Sequence, residues 1–256
     1  MSQYKPCRPG IREPRSGFSL LEMMAALGIL GLVLTVVFVA IVQMQRTQST
    51  ESSKVDTVQE TRDFIDQMVR DIHSVGYPPG RVEAGNPSCS GNVNVSCGLI
   101  FFSSTQIQYE GDLDGTGTVY QVWMQLLPPA SGSCPCVLQR GVITKAQALA
   151  GQVPTYFAEV NGVLNSGDGT GTGTATYPIS LTPAGAYSSY AAADVFDAYD
   201  LNTNPITSCA NVPTDPLSCS SVRSLQITVN VAPHYADSQT KIYPVVSITS
   251  KARLNN

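Results

Sequence analysis

The feature that most limits this chain is an apolar run from Phe18 to Val42 interrupted by a single formal charge, Glu22. At 1.5 Å per residue such a run makes roughly 37 Å of helix, enough to cross a hydrocarbon core. Lys5, Arg8, Arg12 and Arg15 precede it, against one acid, Glu13. Cations on that side keep the N-terminus cytoplasmic, so everything after Gln43 is expected outside.

Two plain readings of the run compete. A cleaved secretory signal needs small residues at the end of its apolar region, and a cut after Ala40 would place bulky Phe38 at one of them. An ordinary signal anchor has no use for Glu22, because a carboxylate near the start of a membrane helix costs about a few kcal/mol unless paired or close to the interface. The segment Arg15-Ser16-Gly17-Phe18-Ser19-Leu20-Leu21-Glu22, followed by Met23 to Leu30, resembles the signature of type IV prepilins and type II secretion pseudopilins. In that family a membrane-embedded prepilin peptidase cuts after the glycine, here Gly17, and the new first residue, here Phe18, is N-methylated. The glutamate stands fifth in the mature chain, where Glu22 stands here. Cutting before the run leaves the helix attached and creates an ammonium at its tip. In a filament core of low dielectric, the Glu22 carboxylate of one subunit and the Phe18 ammonium of the next favour each other strongly. Gly31 matches a glycine common in pilin helices. Val39 stands where major pilins often carry a proline, which points to a minor subunit.

Past the membrane, Val55, Val58, Ile65, Val69 and Ile72 follow three-four spacing, with Phe64, Met68 and Val75 widening the face. This predicts an amphipathic helix packed on its own sheet, ended by Gly76-Tyr77-Pro78-Pro79-Gly80. Strands are expected at Leu99–Phe102, Thr118–Leu127, Val222–Val231 and Ile242–Arg253, the last two forming a hairpin that turns near 234–239. The result is an α+β fold: a long N-terminal helix packed on an antiparallel sheet, the architecture the pilin resemblance also implies. The boundaries that follow are a basic leader at 1–17, a membrane and assembly helix at 18–44, an amphipathic helix at 45–76, and a head at 77–256. A stretch at about 141–220, rich in Gly, Ser, Thr, Ala and Pro, reads as a loop-rich insertion with short strands.

Of seven cysteines, Cys7 is in the leader and six (Cys89, Cys97, Cys134, Cys136, Cys209 and Cys219) lie beyond the apolar run. An even set in Gly/Ser/Pro-rich sequence reads as disulfides in an oxidising compartment. Short spacings favour Cys89–Cys97 and Cys209–Cys219, while Cys134 and Cys136 either close a tight loop or pair elsewhere. A zinc site is the rival reading, weakened because neither His73 nor His234 is near a cysteine pair and no Cys-x-x-Cys occurs.

Other sites are weaker. Asp112, Asp114 and Thr116 alternate like the first ligands of a calcium loop, but the distal bidentate carboxylate is missing. The competing reading is an Asp-Gly turn, which needs the same residues for backbone reasons. No other cofactor is implied, and no nucleophile, phosphate-loop or metalloprotease motif points to an enzyme. The net charge of −4 gives no case for nucleic acid; removing the four leader cations and its one acid from 15 and 19 leaves 11 basic against 18 acidic residues. The helix ending Arg62…Arg70-Asp71-Ile72…Gly76-Tyr77, the Gly111–Gly117 turn and the C-terminal hairpin resemble PilW-type, pseudopilin-J-like minor pilins. The resemblance implies several partners: other major and minor pilins, the peptidase and N-methylase, an inner-membrane assembly platform, and lipid before assembly. It implies residence in a bacterial inner membrane, then in an extracellular filament. A minor pseudopilin of a type II secretion system, or a tip adhesin with a ligand-binding head, shares the same N-terminus.

Overall fold

The computed structural model describes residues 17, 19–78, 89–166, 179–211, 218–237 and 240–254. By internal contacts the chain divides into two units, Met1–Gln48 and Ser49–Asn256. A single helix, α1 (Leu20–Ser74), passes from the first into the second.

In the first unit no described residue is buried. From Met23 to Val42 helix α1 is apolar all round apart from Thr35, so no stripe there selects a face of its own chain. In the second unit the pattern changes to one stripe. Thr61, Ile65, Met68, Ile72 and Val75, with Phe64 beside them, are buried at alternating four- and three-residue steps. They join one core with Ile107, Tyr109, Val122, Met124, Leu138 and Val160 from the facing sheet. Each fully buried side chain of this size stabilises by about 1.5–3 kcal/mol. The stripe differs from expectation at its start, where Val55 is 53% exposed and Val58 is half-buried. Thr61 takes a core position instead, and its hydroxyl is satisfied within the helix by donating to the Thr57 carbonyl at 2.7 Å.

The helix ends as the Gly-Tyr-Pro sequence predicts, and the end is tied to the sheet. Gly76 adopts φ +83° and its N–H donates to the Glu110 carbonyl at 3.1 Å. Gly111 is required opposite, since a Cβ there would lie 2.6 Å from the Ser74 carbonyl oxygen.

Among the described residues one antiparallel sheet carries ten strands. In chain order these begin β1 (Leu99–Phe102), β2 (Gln106–Gly111), β3 (Tyr120–Leu127) and β4 (Cys136–Thr144). After the short helix α2 (Lys145–Leu149) comes β5 (Tyr156–Val163), and after α3 (Ser188–Ala191) come β6 (Phe196–Tyr199), β7 (Pro205–Ile206) and β8 (Cys209–Ala210). The chain closes with β9 (Ser224–Val231) and β10 (Val246–Arg253). The order is β7-β6-β9-β5-β4-β3-β2-β1-β8, with β10 paired along β9. The α+β architecture is therefore that of a pilin-like chain.

Three strand expectations shift. β3 starts at Tyr120, β9 at Ser224 and β10 at Val246, so the connection between the last two strands is longer than a tight hairpin, and part of its expected turn, 238–239, lies outside the described residues. The segment 141–220 contributes more regular structure than its composition suggests. It holds the end of β4, all of β5 and the strands β6 to β8, with β5 between β4 and β9. Composition hides this because β5 mixes Gly, Asn and Ala with apolar residues and gains its strand character from β4. Buried Asn165 clamps the junction: its Nδ2 donates to the carbonyls of Ala193, Asp194 and Thr228, and its Oδ1 accepts the Asn230 N–H at 2.7 Å.

Candidate assembly site and the supports of the head

Helix α1 opens with the Ser19 carbonyl accepting the N–H groups of Glu22 at 3.0 Å and Met23 at 3.2 Å. Glu22 thus occupies the first turn, where the aligned peptide dipoles favour a negative charge. Gly17 and Glu22 are exposed, and Phe18 lies outside the described residues. Leu20 and Leu21 are 79% and 78% exposed, and every side chain from 20 to 49 is exposed. A helix greasy on all sides and uncovered by its own chain is suited to lipid or to the helices of other subunits. Thr35 does not spoil it, because its hydroxyl donates to the Gly31 carbonyl at 2.8 Å.

The six cysteines of the head form three disulfides, Cys89–Cys97, Cys134–Cys136 and Cys209–Cys219. Cys7 lies outside the described residues. The third bridge is fixed to the sheet edge, where β8 pairs with β1 and the Cys219 N–H donates to the Asn211 Oδ1.

At the Gly111–Gly117 turn, Asp112 Oδ1 accepts the Gly115 N–H and Oδ2 the Gly117 N–H, both at 2.8 Å. Asp114 Oδ1 accepts the Thr116 hydroxyl at 2.7 Å and its N–H at 3.1 Å, and Oδ2 accepts the Tyr120 hydroxyl. The Thr116 hydroxyl, its N–H and Tyr120 hold the Asp114 carboxyl at about 2. These oxygens serve the turn itself, with Gly115 and Gly117 at positive φ. Among the described residues no group of three or more His, Cys, Asp or Glu is placed to hold a metal ion. The two histidines lie in different elements: His73 is exposed in the last turn of α1, and exposed His234, beyond β9, packs edge-on against Tyr235.

Two ionic clusters, one half-buried and one buried, carry no sequence signal of their own. In the first, Asp71 of α1 accepts Arg140 Nη2 of β4 at 2.7 Å and the Tyr109 hydroxyl of β2 at 3.2 Å. Burial, then the Asp71 charge, pushes the Tyr109 phenol well up, so it stays a neutral donor. This ties α1 to two strands by charge-assisted bonds as well as by apolar packing. In the second, Lys145 Nζ donates to Glu110 Oε2 at 2.6 Å and to the carbonyls of Cys89 at 2.7 Å and Val95 at 2.8 Å. Glu110 Oε2 also accepts the Cys97 N–H at 2.8 Å. The disulfide loop is thereby fastened to β2 and to the start of α2. A lysine at the first position of a helix capped by Thr144 reads from sequence as a solvated residue, and only the fold buries it.

The profile of the prokaryotic N-terminal methylation motif matches residues 14–38. This is the segment that contains Gly17, Phe18, Glu22 and the first turns of α1. No curated protein and no solved structure matches the chain.

Proposed function

We propose that this chain is a minor pilin, a structural subunit of a type IV pilus, made as a membrane-inserted precursor. The prepilin-type methylation motif and the long apolar helix support a type IV pilin-like or pseudopilin protein. The minor-pilin role goes further and rests on Val39 in place of proline and on the large head. The observation that carries the reading is a coincidence of three features within a few residues: the matched motif, the start of α1 at Leu20, and Glu22 in the first exposed turn.

In this reading the precursor sits in the inner membrane with its leader cytoplasmic and its head outside. A prepilin peptidase cuts between Gly17 and Phe18, and the new ammonium is methylated with its charge kept. Extraction from lipid moves the apolar helix from one low-dielectric surrounding to another, the bundle of neighbouring α1 helices. Lipid tails and leucines are equally apolar, so greasy contact gives little register. The Phe18 ammonium of one subunit against Glu22 of its neighbour supplies it. The chain's role is structural; the chemistry is performed on it by the peptidase and methylase. A pseudopilin of a secretion machine would use the same steps.

The test is the intact mass and N-terminal sequence of unreduced protein from native membranes or sheared filaments, with Glu22→Ala beside it. The expected mature chain begins at methylated Phe18. Glu22→Ala should insert in the membrane normally and fail to enter filaments. A chain still starting at Met1, or normal incorporation of the variant, refutes the processing or the charge pairing respectively.

A further inference from the structure

The outward face of the sheet has an unusual composition. Strand pleating places Gln106 and Gln108 of β2, Gln121 and Gln125 of β3, and Gln139 of β4 on one face, while their neighbours Ile107, Val122, Met124 and Leu138 are fully buried on the other. All five glutamines are half-buried. Between them runs a cross-strand row in which Gln108 faces Trp123, Trp123 faces Gly141, and Gly141 faces Tyr156 of β5. Trp123 and Tyr156 are edge-to-face, with ring centroids 6.5 Å apart.

Gly141 makes that grouping possible, since a Cβ there would lie 2.8 Å from Pro154 Cβ and 3.2 Å from the Tyr156 ring. Pro154 and the Tyr156 ring therefore both seat against the bare backbone of Gly141. Trp123 Nε1 donates to Gln121 Oε1 at 2.9 Å, which sets the indole's orientation before any ligand arrives. Among the described residues, the outward positions of these strands from 106 to 158 carry no charge apart from Glu110, which is buried against Lys145.

We infer that this face binds a neutral glycan, a chain of uncharged hexose or N-acetylhexosamine units, through Trp123 and Tyr156. Each carboxamide offers donors and an acceptor, which matches hydroxyl groups that also donate and accept. The aromatic rings supply flat apolar surface for the C–H face of a sugar ring. An anionic polymer finds no cation on the face, and an apolar protein surface would strand the carboxamides of Gln106, Gln108, Gln125 and Gln139 without partners. The inference concerns the head alone and does not depend on N-terminal processing, so the two readings fail separately.

The test uses the full chain in detergent micelles on an array of neutral hexose and N-acetylhexosamine oligosaccharides, with sialylated and sulfated chains on the same array. Neutral chains should be retained, and Trp123→Ala or Tyr156→Ala should weaken retention at least about tenfold. Trp123→Phe should restore part of it. The double change Gln125→Glu with Gln139→Glu alters only the outward face, so it decides the matter if an aromatic variant fails to fold; it should also lose retention. Four results would overturn the inference: no neutral chain retained, preference for anionic chains, unchanged retention in these variants, or Trp123 covered by another subunit in filaments.

Discussion

Replacing Lys145 by Met keeps the apolar stem and removes only the ammonium. In the folded head that ammonium has three N–H donors and three oxygen acceptors, Glu110 Oε2, the Cys89 carbonyl and the Val95 carbonyl, with Cys97 Sγ a weaker fourth acceptor at 3.6 Å. The side chains of Lys145 and Glu110 are 2% and 5% exposed, so water cannot take its place. After the substitution Glu110 keeps the Cys97 N–H but no countercharge, and two carbonyls lose a donor. Removing one partner of such a pair costs about 3–5 kcal/mol. For a unit of this size each kcal/mol moves Tm by about 2–4 °C, so a fall of roughly 6–20 °C is expected. Burial raises the Glu110 pKa in the folded chain and Lys145 opposes the rise. Without Lys145 the folded value climbs further above the unfolded one. The protonated carboxyl is then the form the fold tolerates, so the variant's deficit shrinks as pH falls and grows as pH rises through that folded value. Unfolding is followed by near-ultraviolet circular dichroism on the unreduced chain in detergent at several pH values. Adding Glu110→Leu should recover at least about 2 kcal/mol relative to the sum of the two single losses. A Lys145→Met variant within about 1 kcal/mol of wild type, or a deficit independent of pH, would refute a desolvated ion pair.

Two further changes probe the same fold from other sides. Gly111→Ala drives a Cβ to 2.6 Å from the Ser74 carbonyl oxygen, a backbone atom with no rotamer to yield, and should cost about 1–3 kcal/mol by the same assay. Asp197 on β6 has its pKa raised, first by burial and then by the Asp194 charge. Its stabilising share is present below the unfolded pKa and lost as pH rises through the folded one. Asp197→Asn should therefore raise stability at neutral pH and flatten its rise on acidification; a pH profile identical to wild type would exclude the effect.

The sequence alone determined what depends on neighbours along the chain. The length of the apolar run and the lone Glu22 specify a helix long and apolar enough to cross a membrane, with a charge at its first turn, because a helix is set by i to i+4 relations. The stripe Ile65, Met68 and Ile72, the breaker after Gly76 and the alternation in β3 and β9 were legible for the same reason. The Cys89–Cys97 and Cys209–Cys219 bridges close short loops and so left a spacing signal. Tertiary structure decided what depends on partners far away. Glu110 and Lys145 are 35 positions apart, and Asp71 and Arg140 are 69 apart. Each residue alone resembles a solvated charge; only the tertiary fold buries Glu110 with Lys145 and half-buries Asp71 with Arg140. Strand β5 likewise has a mixed composition until β4 supplies its hydrogen bonds. Trp123, Gly141 and Tyr156 share no local pattern either; they form one row because the registers of three strands align them.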